Sequence, residues 1–151
     1  MLVYGCLFRC IEPILSIAAS IGEKTPFLTT GSREQVRLAK QRFKHGHSDL
    51  LTLHNVFDEF SKSGDKAVAN AVRSGSLSRG SGGNAHESVR KRAQRDFCSK
   101  NQLFVHVLHS IERARVDLAS QLISSGFLPK AYTSRAPATG TNSNVNKVRI
   151  L

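Results

Sequence analysis

Apolar residues in the first twenty-one positions recur at the helical period. Val3, Leu7, Ile11, Ile14, Ala18 and Ile21 step by four, four, three, four and three, the spacing of one face of an α-helix. Leu2, Cys6, Phe8, Cys10 and Leu15 extend the apolar surface almost all round, which predicts a buried helix. Arg9 and Glu12, three apart, could pair at its one polar edge. Pro13 removes a helical N–H and crowds the preceding turn, so it should bend or divide this helix. Gly22 is a natural stop. No capping residue precedes the periodic positions, so this helix is expected to pack against something upstream that would complete the domain.

The segment Thr25–Thr29 reads as a connector. A second helix is expected from Ser32, with Gln35 at capping-box spacing, to about Gly46. Val36, Ala39 and Phe43 would form its core side. Arg33, Arg37, Lys40 and Lys44 fall within roughly 60° of one another on the other side, a basic stripe about 16 Å long. His47-Ser48-Asp49 opens a third helix, with Leu50, Leu53, Phe57 and Phe60 facing the core and Ser63-Gly64 ending it. Lys66–Val72 reads as a short helix. Arg73–Ala85 is Gly- and Ser-dominated, without the apolar residues that would order it, and reads as a flexible linker. Order is expected again from His86, with a basic helix through Val89–Asp96 packed on Val89, Ala93 and Phe97. Asn101 is the expected cap of the last long helix. Its core side runs through Leu103, Phe104, Val107, Leu108, Ile111, Ala114, Leu118 and Leu122, and Gly126-Phe127 suits a left-handed cap with an apolar latch. Residues beyond Pro129 read as loose, and Val145–Leu151 turn apolar again, like the start of a further strand.

The pattern is therefore all-α: a small bundle of about five helices, with a flexible Gly/Ser insertion and a loose C-terminal tail. The expected divisions are 1–72, a linker over 73–85, a second helical part over 86–128 and a tail over 129–151.

Composition adds charge to this picture. Lys and Arg outnumber Asp and Glu by 22 to 11, for a net charge of +11. Such a balance favours a polyanionic partner, nucleic acid or an anionic membrane surface. The three cysteines form no disulfide framework and fit a reducing, intracellular compartment, cytoplasmic or nuclear. Arg9, Glu12 and Pro13 divide the first apolar run into pieces too short to span a bilayer.

Candidate chemistry is sparse. Gly22-Glu23-Lys24-Thr25 holds a Gly, a Lys and a Thr, but Glu23 separates Gly from Lys, Ile17 stands where the first Gly of a phosphate loop belongs, and a helix precedes it instead of a strand. His45, His47, His106, His109 and Cys98 lack the paired spacing of a zinc site, and nothing singles out Cys98 with His106 as a nucleophile–base pair. The expectation is an absence of catalytic residues, metal and cofactor in this chain. Charge in helical order remains. Arg33, Arg37, Lys40 and Lys44 could track a phosphate backbone, and Arg90, Lys91, Arg92 and Arg95 could bind phosphate, act as a nuclear import signal or solvate their helix.

MLVYGCLFRCIEPILSIAA, then PFLTT with REQVRLAKQRFKHGHSDLLTLHNVFDEF, then FCSKNQLFVHVLHSIERARVDLASQLISSGF together resemble, in order, the helicase-associated region of DEAH/RHA-type RNA helicases, from the remnant of the winged helix into the ratchet-like helical domain. The resemblance covers roughly residues 1–60 and 97–127. It departs from the family pattern before Phe97-Cys98, where VRKRAQRD is more basic, and the 73–85 stretch sits where the family varies in length. The resemblance implies an RNA-binding helical accessory module contacting single-stranded RNA, a fragment lacking the ATP- and magnesium-binding motor domains and the oligonucleotide-binding-fold domain of the parent, and inactive alone as an ATP hydrolase. The alternative from the residues alone is a free-standing basic helical module that binds a protein or a membrane.

Overall fold

The computed structural model describes residues 1–28, 33–77 and 83–132. Six helices carry these residues: α1 (Leu2–Leu7), α2 (Ile11–Ile21), α3 (Arg33–Phe43), α4 (Asp49–Arg73), α5 (Gly83–Lys100) and α6 (Val105–Ser124). The all-α expectation holds; among the described residues only isolated bridges, and no strands, accompany the helices.

The first expected helix is two. The break falls at Phe8–Cys10, upstream of Pro13, and Arg9 takes φ 56°. Had the helix continued through residue 9, the Pro13 ring would meet the Arg9 carbonyl four residues back. Placed instead in the first turn of α2, Pro13 lacks an N–H that would have had no partner there anyway. The Cys10 and Arg9 N–H groups donate to the Gly5 and Cys6 carbonyls at 2.9 and 3.3 Å, closing α1 around a left-handed residue. Burial differs from the expectation as well. α2 is buried through Leu15, Ile17 and Ala19, whereas Val3, Tyr4, Leu7 and Phe8 of the first turns are exposed. Glu12 does not pair with Arg9; its partner is Arg115 of α6, at 2.6 Å.

Ser48 caps α4 as expected, its hydroxyl accepting the Leu51 N–H at 3.2 Å. The helix does not stop at Ser63-Gly64 but runs on to Arg73, absorbing the expected short helix. Gly64 is buried against α5, and a Cβ there would lie 2.7 Å from the Arg90 Cγ. Its role is close helix–helix approach, which offsets the roughly 1 kcal/mol that glycine costs a helix interior. Val56, Phe57 and Phe60 make the core face, while Leu50 is exposed. α5 begins at Gly83, within the stretch expected as linker. Ser32, the expected first cap, residues 78–82 of the linker and the tail from residue 133 lie outside the described residues.

Asn101 does not cap α6. Its side-chain amide donates to the Phe97 carbonyl at 2.8 Å, closing the end of α5, and Phe104 stands at the start of α6 without a side-chain cap. The turn between them holds the connector after α2: Leu28 N–H donates to Gln102 O at 2.9 Å and Phe104 N–H to Pro26 O at 2.7 Å. That pairing presses Phe27 into the main core, 3% exposed, with Phe43, Phe57, Phe60, Leu108 and Ile111. A second cluster joins Leu15, Ala119, Leu122 and Leu128. Gly126 is left-handed, as expected, at φ 78°. The latch, however, is Leu128, 9% exposed, while Phe127 turns outward.

Candidate nucleic-acid interface

α3 presents its two sides as the periodicity implies. Phe43 is buried and Val36 and Ala39 are half-buried, while Arg33, Arg37, Lys40 and Lys44 are exposed. The four cations are not equivalent. Arg37 donates from Nε and Nη2 to the Glu34 carboxylate at 3.0 and 2.6 Å. This bond holds Glu34 below the usual carboxylate range and raises Arg37. The Lys40 ammonium sits 5.7 Å from the centroid of the Phe27 ring, close enough for a cation–π attraction that fixes its position.

Arg37, Lys40 and Lys44 form one wall of a cleft of about 580 Å³; Arg33 lies beyond it. The connector after α2 supplies a second wall through Glu23, Lys24 and Thr25, and the first turns of α4 supply a third through Asp49, Thr52 and Leu53. Phe27 lies at the floor. Sequence reasoning missed Glu23, Lys24 and Asp49 as site residues: Asp49 follows α3 across a short turn, and Glu23 and Lys24 come from the connector whose next residues, Pro26–Leu28, are held to the α5–α6 turn. Among the described residues, no ion pair joins Glu23 or Asp49 to Lys24, Lys40 or Lys44.

A nucleotide phosphate loop does not fit here. Gly22 ends α2 in a right-handed conformation, and Lys24 and Thr25 follow a helix C-terminus, whose carbonyls repel phosphate.

The second basic group divides. Arg90 is 6% exposed, its guanidinium donating to Asp65 of α4 and, at 3.3 Å, to Glu112 of α6. It is an interior cross-link and not a surface cation. Lys91, Arg92 and Arg95 are exposed, Lys91 paired with Glu87 at 3.2 Å. None of these α5 residues lines the cleft.

Catalytic chemistry finds no foothold in Cys98, whose burial pushes the thiol up to about 12, so the nucleophilic thiolate is not formed at neutral pH. Among the described residues no group of three His, Cys, Asp or Glu is placed to hold a metal ion. No helix among them is long and apolar enough to cross a membrane.

Comparison with known proteins gives these residues a context. Residues 1–53 match the ratchet-like helicase associated domain (HA2). The ATP-dependent DNA/RNA helicase DHX36 of Bos taurus is 25% identical over 150 residues, covering 98% of this chain and 12% of the helicase. The ATP-dependent RNA helicase DHX29 of Mus musculus is 27% identical over 128 residues, covering 84% of this chain and 8% of that protein. The putative ATP-dependent RNA helicase DHX57 of Homo sapiens is 27% identical over 155 residues, covering 100% of this chain and 10% of its own length. The chain thus spans about a tenth of each of these relatives.

Proposed function

From the homology of this chain to the helicase-associated region of DEAH/RHA helicases, we propose that it is the RNA-contacting helical module of a longer, intracellular ATP-dependent RNA helicase. ATP and magnesium belong, in this reading, to motor domains outside this sequence. The module lays single-stranded RNA along α3, where Lys40 and Lys44 meet phosphates directly. Arg33 extends the track, and Arg37 joins it while sharing its charge with Glu34. Lys91, Arg92 and Arg95 offer a second, outlying basic surface.

The observation that carries the proposal is the α3 wall: Lys40 and Lys44 are exposed and have no carboxylate partner among the described residues. A lysine already neutralised has little to gain from phosphate; these two retain that gain. The test is the salt dependence of binding to a single-stranded RNA oligonucleotide. Each phosphate contact on a single strand contributes about 0.7 to the slope of log affinity against log salt. Lys40→Glu with Lys44→Glu is expected to lower that slope by about 1.4 and to weaken binding across sequences. An unchanged slope takes α3 off the RNA path.

A further inference from the structure

We infer that the cleft between α3, the connector after α2 and the start of α4 receives the base of a single RNA nucleotide, one bearing an exocyclic amine, while Lys40 and Lys44 hold the backbone along its α3 wall. This deepens the RNA reading above and rests on it. A plain phosphate track would be cationic throughout. The cleft is not: Glu23 and Asp49 face the same space as Lys24, Lys40 and Lys44. These opposite charges are not spent on one another, since among the described residues none of them forms an ion pair within the cleft. Carboxylates that no described cation neutralises repel a phosphate. They suit a ligand that brings an anion to one group of walls and hydrogen-bond donors to another, which is the make-up of a nucleotide.

Size agrees with this. A volume of about 580 Å³ lies within the range of pre-formed small-ligand sites, ample for one nucleotide turned out of a single strand. Recognition would come from the edge of the base and not from its face. Phe27 is buried at the floor and its ring is covered by the Lys40 ammonium, so no aromatic surface is offered for the stacking that makes single-strand binding indifferent to sequence. A carboxylate only accepts hydrogen bonds. Cytosine presents its N4 amine to such a group, and guanine offers N–H donors as well. Uracil presents a lone N–H flanked by two carbonyl oxygens, which the carboxylates would repel. Thr25 adds a hydroxyl and Gln41 an amide, able to adjust to either partner.

The experiment uses the whole chain and three probes of roughly ten nucleotides, a length that covers a single-strand site: oligocytidine, oligouridine and an abasic ribose-phosphate strand. Fluorescence anisotropy at fixed salt is expected to show oligocytidine binding about tenfold tighter than the other two. Glu23→Gln with Asp49→Asn, both exposed positions, is expected to erase that preference and at the same time to tighten the abasic strand, because two repelling charges are gone. Equal binding of all three probes by the native chain overturns the base pocket and leaves the phosphate track standing. So does a uniform tightening of all three by the double variant. Absence of salt-dependent binding to any probe overturns both readings together.

Discussion

Arg115 carries a charge at 4% exposure, and its surroundings explain how. The guanidinium lies 4.7 Å from the Phe57 ring centroid and donates to the Ser16 hydroxyl and, at 2.6 Å, to the Glu12 carboxylate. Tyr132 donates to the other Glu12 oxygen, and burial together with that bond raises the phenol above its usual range. Removing the carboxylate strands a buried cation, which costs several kcal/mol in a dry site. The Glu12 side chain is 44% exposed, and solvent screening reduces the loss. Glu12→Gln should therefore lower unfolding free energy by about 2 kcal/mol, visible as a lower urea midpoint at unchanged slope; an unmoved midpoint would show the pair to be idle. Neither Arg115 nor Arg90 could be placed inside from the sequence. Local spacing offers Glu12 the nearby Arg9, whereas its actual partner is 103 positions away, and a charged residue is by default a surface residue.

At the scale of elements, period and punctuation settled most of the chain. α3 and α6 lie where their apolar repeats place them, and Ser48 caps α4. Glycine and proline misled, because their local meaning depends on neighbours. Gly64 reads as a stop but serves as the contact between α4 and α5. Gly64→Ala gains helix propensity of about 1 kcal/mol yet drives a methyl into the middle of the Arg90 side chain, not its free end. Overpacking of about 1–3 kcal/mol outweighs the gain. A lower melting temperature for the alanine variant is expected; a higher one would mean that α5 can step back freely. Arg9 presents the opposite case. Its left-handed backbone costs an L-residue about 1–2 kcal/mol, and its side chain is exposed. Arg9→Gly should raise stability, by less than that sum because glycine loses more chain entropy on folding. Thermal melts of the two variants are expected to shift in opposite directions.

Over the whole molecule, acid should weaken the fold in two stages. Burial lowers the pKa of His54 from its ordinary 6.5. The unfolded chain then binds the proton more readily, and the stability tied to this group is lost as pH falls below about 6.5. Glu112 follows. Burial alone would raise it, but the His109 hydrogen bond and the nearby Arg90 charge together outweigh that and hold it below its ordinary 4.5. Its contribution is present above 4.5 and is lost as pH falls further. Urea unfolding across this range should show both declines, the lower one flattened in Glu112→Gln; a flat profile between neutral pH and 4.5 would remove His54 from the account. The candidate site was half legible for a related reason. Lys40 and Lys44 share one helix, so their period gives them away. Glu23 and Lys24 meet them through the three-dimensional path of the chain, which no spacing records, and Asp49, though near in sequence, is turned toward them by the α3–α4 turn. Finally, α6 threads both apolar clusters: Val107, Leu108 and Ile111 sit in one, Ala119 and Leu122 in the other, and Leu118 touches each. Amide hydrogens at its centre should thus be the last to exchange with deuterated water, since they open only when both clusters come apart. Of the six helices, α1, six residues long and half in solvent, should lose its protection first, a gradient running from the first helix inward.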